Sequence, residues 1–212
     1  MDIDLANAWM RAIAALMDRH KDHLTQLDSA IGDADHGVNM QRGFTAVLVA
    51  LDGYEAKSFG DVLVKAGNTL ISAVGGAAGP LYGSFFRTTG KQLTDPTADG
   101  EQLAVALDAG LQAVRKLGAA SPGDKTMVDA LTPALTAFAA QLGAGQDLAA
   151  AARKAADAAE TGMRETIPLE ARKGRASYLG TRSIGHQDPG ATSTALIFAT
   201  LAEVAATGGG PA

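Results

Sequence analysis

Apolar residues recur along this chain at steps of three and four, and no segment sustains the period-two alternation of a strand bounded by hairpin turns. A period near 3.6 buries one stripe of a helix, whereas a period of two buries one face of a sheet, so this spacing predicts an all-α fold. Over residues 4–24 the stripe is Leu5, Trp9, Ile13, Leu16 and Leu24, with Asp2 or Asp4 available as the cap. After a loop rich in Asp and Gly, Phe44, Val47, Leu48 and Leu51 mark a second helix that ends near Gly53. Phe59, Val62, Leu63, Ala66 and Leu70 describe a third, stopped by Gly75 and Gly76, where a left-handed cap is easiest. Pro80 suits the first turn of a fourth over 81–89. Further helices are predicted over 102–117, over 127–142 with Pro133 close to the start, over the Ala-rich 147–160, and over 191–206. Eight such helices joined by short loops stack most simply as an eight-helix antiparallel barrel or bundle. The 212 residues fit one domain, 1–212, whose tail 207–212 is expected to fray.

Composition narrows the chemistry. Apolar stretches are broken by Gly, Pro or charge before the roughly 18 residues of a membrane span, which predicts no membrane crossing. The acidic start Met-Asp-Ile-Asp lacks the basic opening of a secretory signal. No cysteine is present, so disulfides, thiolate metal sites and cysteine nucleophiles are excluded, in keeping with a cytoplasmic protein. A net charge of -5 argues against a nucleic-acid partner. The 25 glycines cluster at helix junctions, where they allow unusual dihedrals or close approach of backbone to a ligand.

The most informative stretch runs from Asp28 to Asn39. Asp28, Asp33 and Asp35 lie within eight positions, with Gly32 and Gly37 beside them to let the backbone turn. Mg²⁺ takes oxygen ligands and commonly combines a few carboxylates with substrate phosphates. Three carboxylates alone would repel a nucleotide, whereas two Mg²⁺ would more than neutralise them, so a nucleotide here requires metal. His36 or Asn39 can then donate to phosphate oxygens, and the helix start after Gly37 adds positive dipole. Taken alone, an Asp-x-Asp run is more often a solvated turn or cap. The spacing does not match an EF-hand, and no Gly-x4-Gly-Lys-Ser/Thr phosphate loop exists in the chain.

Five runs, in order and spread over nearly the whole chain, resemble the nucleotide-binding L domain of dihydroxyacetone kinases. They are Gly32-Asp-Ala-Asp-His-Gly-Val-Asn-Met40, Gly75-Gly-Ala-Ala-Gly-Pro-Leu-Tyr-Gly83 and Gly123-Asp-Lys-Thr-Met-Val-Asp-Ala-Leu131, then Arg172-Lys-Gly-Arg-Ala-Ser-Tyr-Leu-Gly180 and Gly185-His-Gln-Asp-Pro-Gly-Ala191. The resemblance implies an eight-helix antiparallel barrel whose loops at one end bind ADP or ATP through two Mg²⁺. It implies Asp28, Asp33 and Asp35 as metal ligands, with His36, Gly37, Val38 and Asn39 lining the phosphates. Ala77 and Ala78 would approach the phosphates by backbone, Gly118 and Met127 would border the adenine, and Arg175, Asp188, Pro189 and Gly190 would close the pocket. Without the family, Gly75–Pro80 reads as a helix break, Met127 as core, Asp124 and Lys125 as cap charges, and Arg172, Lys173 and Arg175 as a solvated basic edge. One position departs from the pattern: Ala78 stands where the family commonly has Ser, so only a backbone donor remains.

The resemblance further implies a division of labour. The 212 residues leave nothing over for a sugar-binding domain, so dihydroxyacetone would sit covalently on a histidine of a partner K subunit. This chain would carry the phosphoryl group to it and supply no general base of its own. Either ADP remains bound as a cofactor and is rephosphorylated by an M-type phosphocarrier subunit of a phosphotransferase system, or ATP binds and ADP leaves each cycle. Stand-alone L subunits resemble the first mode. The non-enzymatic alternative is a nucleotide-bound regulatory interaction module.

Overall fold

A computed structural model describes residues 1–208 and contains no strand among them. Eight α-helices follow in order: α1 Ile3–Ile31, α2 His36–Leu51, α3 Phe59–Ala73, α4 Ala78–Lys91, α5 Gly100–Gly118, α6 Val128–Gly143, α7 Leu148–Glu165 and α8 Pro189–Thr207. Each helix packs on the next and α8 returns to α1, so the order of contacts closes on itself. Trp9 of α1 fastens that closure by donating its indole N–H to the Ile197 carbonyl of α8 at 3.2 Å. Inside, Trp9, Phe44 and Phe85 each meet the Phe86 ring edge-on, with centroids 5.3 to 6.0 Å apart. One continuous cluster of buried side chains draws on all eight helices.

The sequence stripes located every helix but misjudged several ends. α1 runs seven residues past Leu24, because Asp28 and Ile31 continue its buried face at the next helical steps. Asp28 therefore belongs to a helix and not to a loop, and the connection to α2 is only 32–35. Gly75 and Gly76 do not cap α3: Val74 takes an extended conformation, and Gly76 adopts a positive φ within the loop. α6 passes through Pro133 without a break. A 3-10 segment, Arg175–Ser183, lies in a stretch for which no element was predicted. Of the tail expected to fray, Thr207 closes α8 and Gly208 forms a left-handed cap, while residues 209–212 lie outside the described residues. α8 alone among the described residues has the length and apolar composition to cross a membrane, yet 61% of that window is buried, as befits a core helix.

The tightest contact is α3 on α4, where glycines seven apart on each helix meet in antiparallel pairs. A Cβ on Gly90 would stand 2.4 Å from the Gly60 carbonyl oxygen, and one on Gly67 2.6 Å from that of Gly83. These backbones touch because neither helix carries a side chain there. Gly90→Ala is expected to force the helices apart and to destabilise by about 2 kcal/mol, read as a lower urea midpoint. Gly143→Ala, which meets nothing within 4 Å, should hold or raise that midpoint. The same close approach fixes the short turn 74–77 at the end of the molecule where the candidate site lies.

Candidate functional site

The ends of α1, α3 and α5 and the starts of α2, α4, α6 and α8 surround one cavity of about 300 Å³. Asp28, Asp33, Asp35, His36, Asn39, Ala77, Ala78, Gly118, Met127, Arg175, Asp188, Pro189 and Gly190 all line it. The other two expected residues do not. Gly37 is buried against α1, where a Cβ would lie 2.0 Å from the Lys21 carbonyl oxygen, and Val38 is exposed. The glycine at 37 thus serves helix packing, and any contact of these two with a ligand falls to their backbone.

Asp28, Asp33 and Asp35 bring carboxylate oxygens within 4.8 Å of one another. Asp28 is anchored: its Oδ2 accepts from the N–H groups of Asp35 at 2.8 Å and His36 at 3.1 Å, tying the end of α1 to the start of α2. Its other oxygen explains Gly32, where a Cβ would stand 2.0 Å from Asp28 Oδ1. Between the two outer aspartates Ala34 holds φ 62°, a left-handed turn uncommon for a residue with a Cβ. Three clustered oxygens on one pinned turn suit a hard divalent cation. Arg175 reaches over from the 3-10 segment, its Nε 2.9 Å from Asp33 Oδ2.

Anion-binding capacity comes from the helix starts. Caps on Asp2, Ser58, Asp99, Asp147 and Asp188 serve α1, α3, α5, α7 and α8, while α4 begins without a side-chain cap and α2 has only its first amide, that of His36, taken by Asp28. The starts of α2 and α4 sit on either side of the aspartate turn: a Cβ on Gly76 would lie 3.8 Å from both Asn39 Nδ2 and Asp35 Oδ2. Free first-turn amides at the positive end of a helix dipole are donors for phosphate oxygens. α6 differs, since Thr126 Oγ1 accepts from Val128 N–H and the Asp129 carboxylate from Gly123 and Thr126.

Two contributors, Tyr82 and Ser193, escaped the sequence reading, which had offered Lys125 only as a cap charge. Tyr82 is buried in the cavity wall, and burial pushes its hydroxyl well above the ordinary range, so it stays a neutral hydrogen-bonding group. Ser193 links it to His36, whose imidazole is held below its ordinary pKa by burial, against the pull of Asp28 and Asp35. Lys125, 1% exposed, donates from Nζ to the carbonyls of Thr166 at 2.8 Å, Leu169 at 3.0 Å and Ile167 at 3.3 Å. It ties down the end of α7, so the cap reading of this lysine is the right one. Tyr82 stood inside the Gly75–Gly83 run without a role of its own, and nothing local marked Ser193.

The DAK2 domain matches residues 30–203, which contain all of these groups except Asp28. The chain belongs to the DAK2 domain family. Among DAK2 relatives, the "PEP-dependent dihydroxyacetone kinase 1, ADP-binding subunit DhaL" of Listeria innocua serovar 6a is 42% identical over 93% of this chain and 94% of its own length. The corresponding "PEP-dependent dihydroxyacetone kinase, ADP-binding subunit DhaL" of Escherichia coli K12 is also 42% identical, over 92% and 93%. Among solved structures, the dihydroxyacetone kinase from C. freundii in complex with AMP-PNP and Mg²⁺ superposes with a TM-score of 0.73 at 28% identity, covering 94% of this chain and 33% of that one.

In this DAK2 domain the buried Asp188 caps α8 through Ala191 N–H, and burial raises its pKa from 3.8 to about 7, with Asp129 and Asp28 adding to the rise and Lys125 opposing it. An acid that holds its proton more tightly when folded contributes stability at low pH. That contribution is lost as pH rises from 3.8 to about 7 and stays lost above. Asp188→Asn keeps a capping oxygen without the charge. In EDTA its stability is expected to exceed that of the parent chain at pH 8, with the difference shrinking toward zero at pH 4. Denaturant titrations across that range would contradict the assignment if the gap were constant.

Proposed function

We propose that this chain, acting as one nucleotide-binding unit over residues 1–212, is the phosphoryl-carrying subunit of a dihydroxyacetone kinase. The observation that carries the reading is the aspartate cluster set between two helix starts that keep free amides on one cavity. Asp28, Asp33 and Asp35 would hold divalent metal, two Mg²⁺ ions in this reading, and bound metal would offset the phosphate charge. The free first-turn amides of α2 and α4, with Asn39, would take the phosphate oxygens, and His36 would line them. Ala78 would contribute through its backbone alone. Gly118 and Met127 would border the adenine, and Arg175 with Asp188, Pro189 and Gly190 would close the pocket. No general base is assigned, so the protein's own contribution is to position the phosphate and exclude water around it.

ADP is proposed to remain bound and to be rephosphorylated in place by an M-type phosphocarrier subunit of a phosphotransferase system. The acceptor, dihydroxyacetone, would be held covalently on a separate K subunit, and the complex would be cytoplasmic. Support for the retained-cofactor mode comes from the relatives named PEP-dependent, at 42% identity over 94% and 93% of their own length, whereas the C. freundii kinase is 28% identical and matched over a third of its chain.

The reading is tested by mixing the purified chain with a K subunit and dihydroxyacetone, then supplying either ATP or a phosphoenolpyruvate-charged phosphocarrier. Dihydroxyacetone phosphate formed with the phosphocarrier alone is the expected result. Product with ATP alone would replace the retained-cofactor mode with nucleotide exchange. Product with neither donor would leave a regulatory module in place of a kinase subunit.

A further inference from the structure

A buried run of hydroxyls joins α4 and α8 to the ring of His36 on α2. Tyr82 Oη lies 2.8 Å from the Gly190 carbonyl oxygen, 2.7 Å from Ser193 Oγ and 2.8 Å from Thr194 Oγ1. Ser193 Oγ in turn lies 2.9 Å from His36 Nε2. Tyr82, Ser193 and Thr194 are all at most 2% exposed, so water cannot stand in for a missing partner.

Counting hydrogens gives each bond a direction. A carbonyl only accepts, so the Tyr82 hydroxyl donates to Gly190. Thr194 has Tyr82 Oη as its side-chain partner and donates there. The single hydrogen of Ser193 could go to His36 Nε2 at 2.9 Å, to the Gly190 or Pro189 carbonyl at 3.1 and 3.2 Å, or to Tyr82 Oη at 2.7 Å; since Tyr82 has given its own hydrogen to Gly190, only Ser193 can supply the one in that shortest contact. With that hydrogen committed to an oxygen, the bond between Ser193 and the imidazole is made by the ring's own N–H.

We infer that Ser193, braced by Tyr82, is a positioning residue that fixes His36 as the Nε2–H tautomer and leaves Nδ1 as a hydrogen-bond acceptor. Its effect on a ligand rests on the nucleotide reading above; the tautomer does not. An unprotonated Nδ1 cannot donate to a phosphate oxygen. It takes a hydrogen instead, and the donors that arrive with a hydrated divalent cation are its water molecules. His36 thus serves the metal side of the site, while donation to phosphate falls to the helix amides and Asn39.

The test is a long-range ¹H–¹⁵N spectrum of the full-length, ¹⁵N-labelled chain, with the ring of His36 assigned by its loss in His36→Gln. The expected spectrum has a protonated Nε2 and a bare Nδ1. In Ser193→Ala the two nitrogen shifts should move toward each other as the tautomers mix. Affinity for ADP in Mg²⁺ should fall on the order of tenfold, with adenosine affinity unchanged. A protonated Nδ1 in the parent chain would overturn the inference, and needs no variant to be seen. Unchanged ring shifts in Ser193→Ala, or ADP and adenosine weakened alike, would do so too. A parent chain that binds no ADP strikes the nucleotide reading, while the spectra judge the tautomer by themselves.

Discussion

Asp33→Asn is expected to lower Mg²⁺-dependent affinity for ADP on the order of 100-fold while leaving helicity unchanged. Asp33 is exposed and, among the described residues, its side chain pairs only with Arg175, so the fold loses little when its charge is removed. The proposed metal site loses much. A full charge facing a divalent cation is worth several kcal/mol at an effective dielectric of about 20, and the neutral amide retains a small part of it. Asp28 would make a poorer probe, because its carboxylate also anchors the start of α2 and its loss would mix ligand and fold effects. The measurement is the ADP retained after purification in Mg²⁺, beside a far-ultraviolet circular dichroism spectrum. Retention equal to that of the parent chain would remove Asp33 from the ligand set.

The second large effect is on stability. Lys125→Met should destabilise by roughly 3 kcal/mol or more, since the carbonyls of Thr166, Ile167 and Leu169 just past the end of α7 lose a charged donor together. For a chain of this length that corresponds to a melting temperature lower by about 10 °C. Lys125 lies in the cavity wall beside Met127, which invites a catalytic reading. Its ammonium hydrogens, however, are engaged by Thr166, Ile167 and Leu169 and are not free to serve a phosphate. Thermal melts of the metal-free chain separate the two roles: an unchanged melting temperature with lost ADP binding would make Lys125 a ligand-contacting group.

Much of this molecule was legible one element at a time. Helical stripes are local, so Leu5-Trp9-Ile13 and Leu196-Ile197-Leu201 announced their helices without help from the rest of the chain. The aspartate turn was equally visible, because its three carboxylates and their glycines lie close together in sequence. Its role was not: Asp28 looked like loop until Ile31 was seen to extend the buried face of α1. Gly37 shows the limit from the other side. The motif marked it as important, yet its side of the chain faces Lys21 and Thr25 on α1.

What the sequence by itself determined, then, is whatever repeats or clusters within a few residues: the all-helical class, the breaks between helices and the acidic cluster. What only the tertiary structure decided depends on residues far apart in the chain. The partner of Asp33 lies on a 3-10 segment that no periodic signal marks, and Tyr82 meets Ser193 111 positions away. Close packing sets those pairings, as α3 and α4 touch through glycine and α8 returns to α1. Such contacts leave no local trace, because any small or hydroxyl-bearing residue at the right helical step would look the same until its neighbour is in place.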